Sequence, residues 1–368
     1  MNIYHRFLKS SLILKGMIML ACFILIACAA DRPVLEPAAE RVPPDESKYI
    51  NSLVKLLKDK MEKDYQPGNT LRGAHPKHHG CVKARFIVAS DLPEKLRIGV
   101  FEKTRTYPAL VRFSNGSSKI QPDSEKDARG MAIKIMDVHG KKLLDDEMHE
   151  TTQDFLLISH PVLPAADVEG FFNFADAAIN GGLFWFFFNP FSPHLKELGI
   201  GLKTLDRHLN PLKIRYWSTT PYLYGPGRAV KYSVIPCRGG SEELPENPSD
   251  NYLREVMQED LKRQEFCFEF RIQFQTDPET MPVEDARIEW DETISPFIKV
   301  ATLVIETQVF DTPEQMEYCE NLSFTPWHSL TEHRPLGGIN RARKEIYREL
   351  SIFRHEKNGK KRQEPTGF

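Results

Sequence analysis

The chain has 368 residues and a formal charge of −2, with 49 Lys and Arg set against 51 Asp and Glu. That balance offers no basic surface to nucleic acid and no net attraction to anionic lipid, while the length allows one large domain or two. With 23 Phe and 26 Pro, the composition suits a β-rich body with an apolar cavity, and there is no internal repeat or long low-complexity segment.

The first thirty residues read as an address. Lys9 and Lys15 supply a positive start, and residues 17–30 form an apolar run that is too short for a membrane span and right for a signal-peptide core. The run ends in Leu25-Ile26-Ala27-Cys28, which resembles the bacterial lipobox, whose cysteine becomes the lipidated first residue. Ala29 follows where Asp would retain a lipoprotein at the inner membrane. The expectation is a signal peptide over 1–28, a lipid anchor on Cys28 and a cell-envelope protein of the outer membrane facing the periplasm. An uncleaved N-terminal anchor is the alternative, and it too leaves the body outside the cytoplasm. Cys81, Cys237, Cys267 and Cys319 remain. They allow three pairings among which the sequence does not choose.

Residues 29–44, with Pro33, Pro37, Pro43 and Pro44, read as a tether. A domain over 45–358 follows, and a polar tail over 359–368. Asp45 is expected to cap a helix on which Ile50, Leu53, Val54, Leu57 and Met61 recur at helical spacing. His75, His78 and His79 precede a strand from Val82 to Ala89. A zinc site there lacks a carboxylate or cysteine at ligand spacing, and solvated loop histidines are the plainer reading. Strands are expected at 109–114, 131–135 and 153–158, then a helix over 167–179. The aromatic run Leu183-Phe184-Trp185-Phe186-Phe187-Phe188 reads as core, with a substrate entrance or a membrane contact as the other options. A hairpin over 216–234, a helix over 250–263 and strands at 266–274 and 296–305 come next. Short strands with turns at close intervals favour an antiparallel barrel or sandwich. Gly337-Gly338 then open a last helix on which Arg343 and Tyr347 stand four residues apart, on one face. A phenol ordinarily ionises near pH 10, so presenting a phenolate at neutrality costs roughly 4 kcal/mol. A guanidinium one turn away lowers that cost, and a ferric iron lowers it further.

Three motifs carry a specific resemblance. They are Arg72-x-x-His75-x-Lys77-x-x-Gly80, Val111-Arg112-Phe113-Ser114, and Asp127-x-Arg129-Gly130-x-Ala132-x-Lys134, with Arg343-x-x-x-Tyr347 at the far end. Over roughly 65–355 the chain resembles the catalase superfamily, and from Asn251 onward its smaller haem-binding members. The resemblance implies an α+β fold, a catalase-like antiparallel β-barrel with surrounding helices, binding haem b. It implies Tyr347 as the proximal iron ligand, with Arg343 beside it and Arg72 and Arg112 on the haem propionates. His75 would be the distal acid–base group, and Ser114 the residue that fixes its tautomer. No asparagine stands in Thr151-Thr152-Gln153, the stretch that aligns with the family's distal asparagine, so Thr151 is expected there.

Three functions compete. The first is a haem peroxidase or catalase-like oxidoreductase acting on hydrogen peroxide or organic hydroperoxides. The second is a haem enzyme that rearranges lipid hydroperoxides into allene oxides. The third is a non-enzymatic haem-binding lipoprotein, against which the pairing of His75 with Ser114 argues. Partners are a peroxide substrate and a membrane reached through the lipid anchor, and the sequence does not fix the oligomeric state.

Overall fold

The strands are β1 (His78–Val88), β2 (Thr106–Asn115), β3 (Arg129–Ile135), β4 (Gln153–Ile158), β5 (Tyr216–Trp217), β6 (Tyr222–Leu223), β7 (Ala229–Pro236), β8 (Phe266–Phe274) and β9 (Ile298–Ile305). They come from a computed structural model that describes residues 36–239, 246–362 and 364–365, so the signal segment and Cys28 lie outside the described residues. The strands are ordered β5-β4-β3-β2-β1-β9-β8-β7-β6, and β5 also pairs with β7, which closes eight of them into an antiparallel barrel. The expected α+β barrel is therefore the fold observed.

The interior is filled. Phe86, Phe155 and Phe270 interlock with ring centroids 4.8 to 5.9 Å apart, among Val82, Val111, Phe113, Met131 and Ile133. Side chains alternate across a strand. With Val111 and Phe113 pointing in, Arg112 and Ser114 of β2 point out, as does Gly130 of β3 opposite Ser114. A barrel packed in this way has no room for a large ligand, so chemistry must lie on its outer face.

The helices around it are α1 (Glu46–Asp64), α2 (Val168–Asn180), α3 (Leu183–Phe188), α4 (Leu195–Thr204), α5 (Tyr252–Arg263), α6 (Pro313–Asn321) and α7 (Gly338–Lys357). Ile50 and Leu53 of α1, Val168 of α2, and Ala342 and Ile346 of α7 make a second apolar cluster. Asp45 stands at the start of α1 but makes no capping bond. The start of α7 is tightly specified. Gly337 has φ 85°, and a Cβ on it would lie 2.5 Å from the Val283 carbonyl oxygen, so only glycine fits. The Gly337 and Gly338 amides donate to Glu40 and Glu284, and the Arg341 guanidinium joins Glu40, Glu46 and Glu284. Carboxylates at a helix N-terminus also oppose its positive dipole end.

Several expectations change. Part of the tether is docked: the Ala38 amide donates to Gln275 and the Arg41 amide to Glu284. The tail also docks, for Glu364 pairs with the buried Lys134 at 2.6 Å and Arg362 meets Glu147 and His328. Cys81 bonds to Cys319 and Cys237 to Cys267. The aromatic run is not core, since Phe184 and Trp185 are each 67% exposed. An unbroken apolar stretch has no periodicity to show which side faces solvent.

Candidate active site

The site is built on the outer face of β2 and β3. His75, just before β1, has φ 55°, a left-handed backbone that costs a non-glycine residue about 1–3 kcal/mol. Two bonds hold it there: Nδ1 lies 3.0 Å from Ser114 Oγ, and the His75 carbonyl accepts from Arg112 Nη2 at 2.8 Å. Gly130 makes the space, because a Cβ there would lie 2.6 Å from His75 Nδ1 and 2.7 Å from Ser114 Oγ. Burial first, and then the charges of Arg112, Arg343 and Arg72, push the His75 pKa down to about 4. At neutral pH the imidazole is uncharged and able to accept a proton. His75 is half-buried.

The remaining two histidines of the cluster are not solvated, as the plain reading had it. His79 turns inward to Asn115 Oδ1 at 3.0 Å and His78 lies 3.6 Å from Glu320. Burial is the largest cause that lowers their pKa values, to about 3 and about 2. Each of the three imidazoles therefore has its own partner.

Opposite lies α7. Arg343 Nη1 donates to Thr220 Oγ1 at 3.0 Å and to Asn340 Oδ1 at 3.2 Å, and no hydrogen bond joins it to Tyr347. The Tyr347 ring packs in the cluster with Phe171 and Phe172 of α2, and its hydroxyl has no hydrogen-bond partner among the described residues. Arg354 of α7 joins the arginines named from the sequence. It stands eleven residues after Arg343, three helical turns or about 16 Å, which brings both to one face with Tyr347 between them.

At that far end two guanidiniums meet one carboxylate, with that of Arg112 near them. Arg72 pairs with Glu320 at 2.6 Å and donates to the Leu322 carbonyl, while Arg354 reaches the same Glu320 at 3.4 Å and the same carbonyl at 3.3 Å. Arg112 is 4% exposed, has no carboxylate of its own, and leaves its Nε without a partner. Burial and then the Arg72 charge lower the pKa of Arg112 and that of Arg354, the latter to about 9. Such a cluster favours the arrival of anions. The disulfide from Cys81 to Cys319 fastens β1 to α6 beside Glu320.

Thr151 is not part of this site. The β3–β4 register sets Gly130 against Ile158 and Ile135 against Gln153, so Thr151 lies beyond the strand end farther from His75. Five residues of strand separate the two ends, about 16 Å. The Thr151 carbonyl accepts from Val138, and its neighbour Thr152 donates to Glu364. The residue paired with Gly130 beside His75 is Ile158, followed by Ser159, whose Oγ accepts from the Arg129 amide. The wall next to His75 on β4 is therefore apolar.

No family model and no curated protein matches the chain. Solved structures do. It is similar to a fungal catalase (17% identity, TM-score 0.63) over 88% of this chain and 66% of that one. Catalase A from Saccharomyces cerevisiae matches with the same identity and score over 88% and 68%. A bacterial catalase matches at 14% identity and TM-score 0.58 over 92% and 67%. The chain spans about two thirds of the length of these catalases. A closed eight-strand antiparallel barrel, ringed by helices and matched over most of its length by solved catalases, gives this protein a catalase-like fold.

Proposed function

We propose that the protein is a haem-dependent, catalase-like oxidoreductase that consumes hydrogen peroxide or organic hydroperoxides. The observation that carries the reading is the His75–Ser114 pair, a neutral imidazole held in a strained backbone. The donor set fits a haem. Arg72, Arg112 and Arg354 share only Glu320, which suits the two propionates of haem b, and Tyr347 stands on the same helical face as Arg354, ready to present a phenolate. A haem bound there supplies the redox-active iron that the polypeptide lacks.

The chain's own residues do the rest. His75 takes the proton from one oxygen of the hydroperoxide and returns it to the other as the O–O bond breaks, so that water or an alcohol leaves. Ser114 holds Nδ1 and leaves the other ring nitrogen for this transfer. Arg343, oriented by Thr220 and Asn340, stands one helical turn before Tyr347 on the same face. Ile158 in the β4 wall offers no hydrogen bond to a second peroxide, which favours turnover with an external reductant over oxygen release. The protein is read as a cell-envelope lipoprotein anchored through Cys28, and its two disulfides suit an oxidising compartment.

The test is His75→Ala, reconstituted with haem and mixed with hydrogen peroxide or cumene hydroperoxide. Haem absorbance should persist while hydroperoxide consumption falls by roughly 10²–10⁴. Wild-type turnover in the variant would remove His75 from the reaction. A wild-type protein inert to every hydroperoxide would make it a haem carrier.

A further inference from the structure

Between α2 and β5 the chain presents an apolar face to solvent. Phe184 and Trp185 are each 67% exposed, Phe191 96%, Leu195 56% and Leu202 65%. This is not a poorly packed core, because α3 sorts its aromatic residues. Phe186 stacks on His194 at 4.2 Å, and Phe186 and Phe187 both meet Phe174. Phe184, on the other side, has ring partners among the described residues only in its neighbours Trp185 and Phe188.

The charges are sorted as well. From Gly181 to Leu205 the acidic and basic side chains are Lys196, Glu197 and Lys203. Glu197 is buried and paired with Arg287 at 2.5 Å, so the exposed charges are the two lysines. We propose that α3 and α4 insert this face into the headgroup–acyl boundary of a bilayer with an anionic surface. An outward tryptophan and phenylalanines flanked by lysines, with the first exposed acid, Asp206, only after Leu205, is the pattern of an interfacial element. A protein partner would ask for a polar rim of both signs. Insertion is driven by the apolar side chains, so the near-zero net charge of the whole chain does not oppose it. The contact is separate from acylation, and its test removes the acylation site.

The experiment uses the chain from residue 28 onward with Cys28→Ser, so that neither the apolar signal segment nor an acyl chain contributes, and vesicles of phosphatidylethanolamine with phosphatidylglycerol. Trp185 is an exposed reporter, whereas Trp290 and Trp327 are buried and Trp217 is half-buried. Lipids brominated near the headgroup should quench the emission, and Trp185→Phe should abolish that quenching. Replacing Phe184, Phe188 and Phe191 together by Ser should weaken vesicle partitioning by at least about tenfold, with the melting temperature unchanged. Unquenched Trp185 in vesicle-bound protein would overturn the proposal. So would a dimer in sedimentation that the same three substitutions dissociate without any lipid quenching, since a second copy would then be the occupant.

Discussion

Gly130→Ala tests the site through its geometry. The new Cβ would stand 2.6 Å from His75 Nδ1, 2.8 Å from its Cε1 and 2.7 Å from Ser114 Oγ, where ordinary contact is near 3.5 Å. The pair must therefore open by about 1 Å. Gly130 lies in paired β3, so neither side of the intrusion yields freely. Overpacking of this kind costs about 1–3 kcal/mol, and losing the His75–Ser114 bond adds about 1 kcal/mol. A misplacement of about 1 Å in a catalytic group costs on the order of 10²-fold in rate. Hydroperoxide consumption by the haem-loaded variant should fall that far, with haem content retained and a lower melting temperature. Ser114→Ala is the companion, since it removes the bond without the clash. It should slow turnover while leaving the melting temperature within a few degrees. A Gly130→Ala protein with wild-type turnover would refute the claim that the His75–Ser114 contact matters.

Tyr347→Phe should lose haem or change its absorbance, and Arg343→Ala should act in the same direction more weakly; an unchanged spectrum in Tyr347→Phe means that iron is held elsewhere. Mass spectrometry of membrane fractions should find acyl chains on Cys28, and a chain that still starts at unmodified Met1 would end the lipoprotein reading. Stability should fall with acid: His75, His78 and His79 are neutral in the fold, with pKa values down to about 4, 2 and 3, chiefly through burial. Below pH 6.5 the unfolded chain takes up protons that the fold refuses, so each such histidine removes about 1.4 kcal/mol of stability per pH unit, down to its folded pKa. Equal urea midpoints at pH 6.5 and pH 4.5 would contradict that assignment of buried neutral rings.

Much of the site was legible because its motifs are local. The spacing from Arg72 to His75 and Gly80, and the pairing of β2 with β3, bring His75, Ser114 and Arg112 together, and both motifs lie within short segments. Arg354 was missed, although its place eleven residues after Arg343, three turns along one face, was a signal that could have found it. Thr151 was not, because residues 136–152 form the β3–β4 connection and nothing in a loop's wording fixes the strand register beyond it. A shift in that register moves every side chain along the barrel wall. The exposed side of α3 was hidden for another reason: in a run of consecutive apolar residues, only the tertiary partners, here Phe174 and His194, decide which side is buried.

The cluster at Glu320 connects the fold to its proposed ligand. Burial first, and then the Arg72 charge, lowers the pKa of Arg112 and of Arg354, so positive charge is held there at a cost. A protein shaped for stability alone would replace one arginine or add an acid, since an unbalanced buried charge is strongly unfavourable. Instead the cluster is clamped by the Cys81–Cys319 disulfide and by the Leu322 carbonyl, which accepts from both Arg72 and Arg354. The excess positive charge is thus preorganised before any ligand arrives, and a dianion bound there recovers part of that cost as affinity. Burial first, and then the charges of Arg112, Arg343 and Arg72, lower the His75 pKa, so two of the arginines that would seat a haem carboxylate also help keep the imidazole free to take a proton.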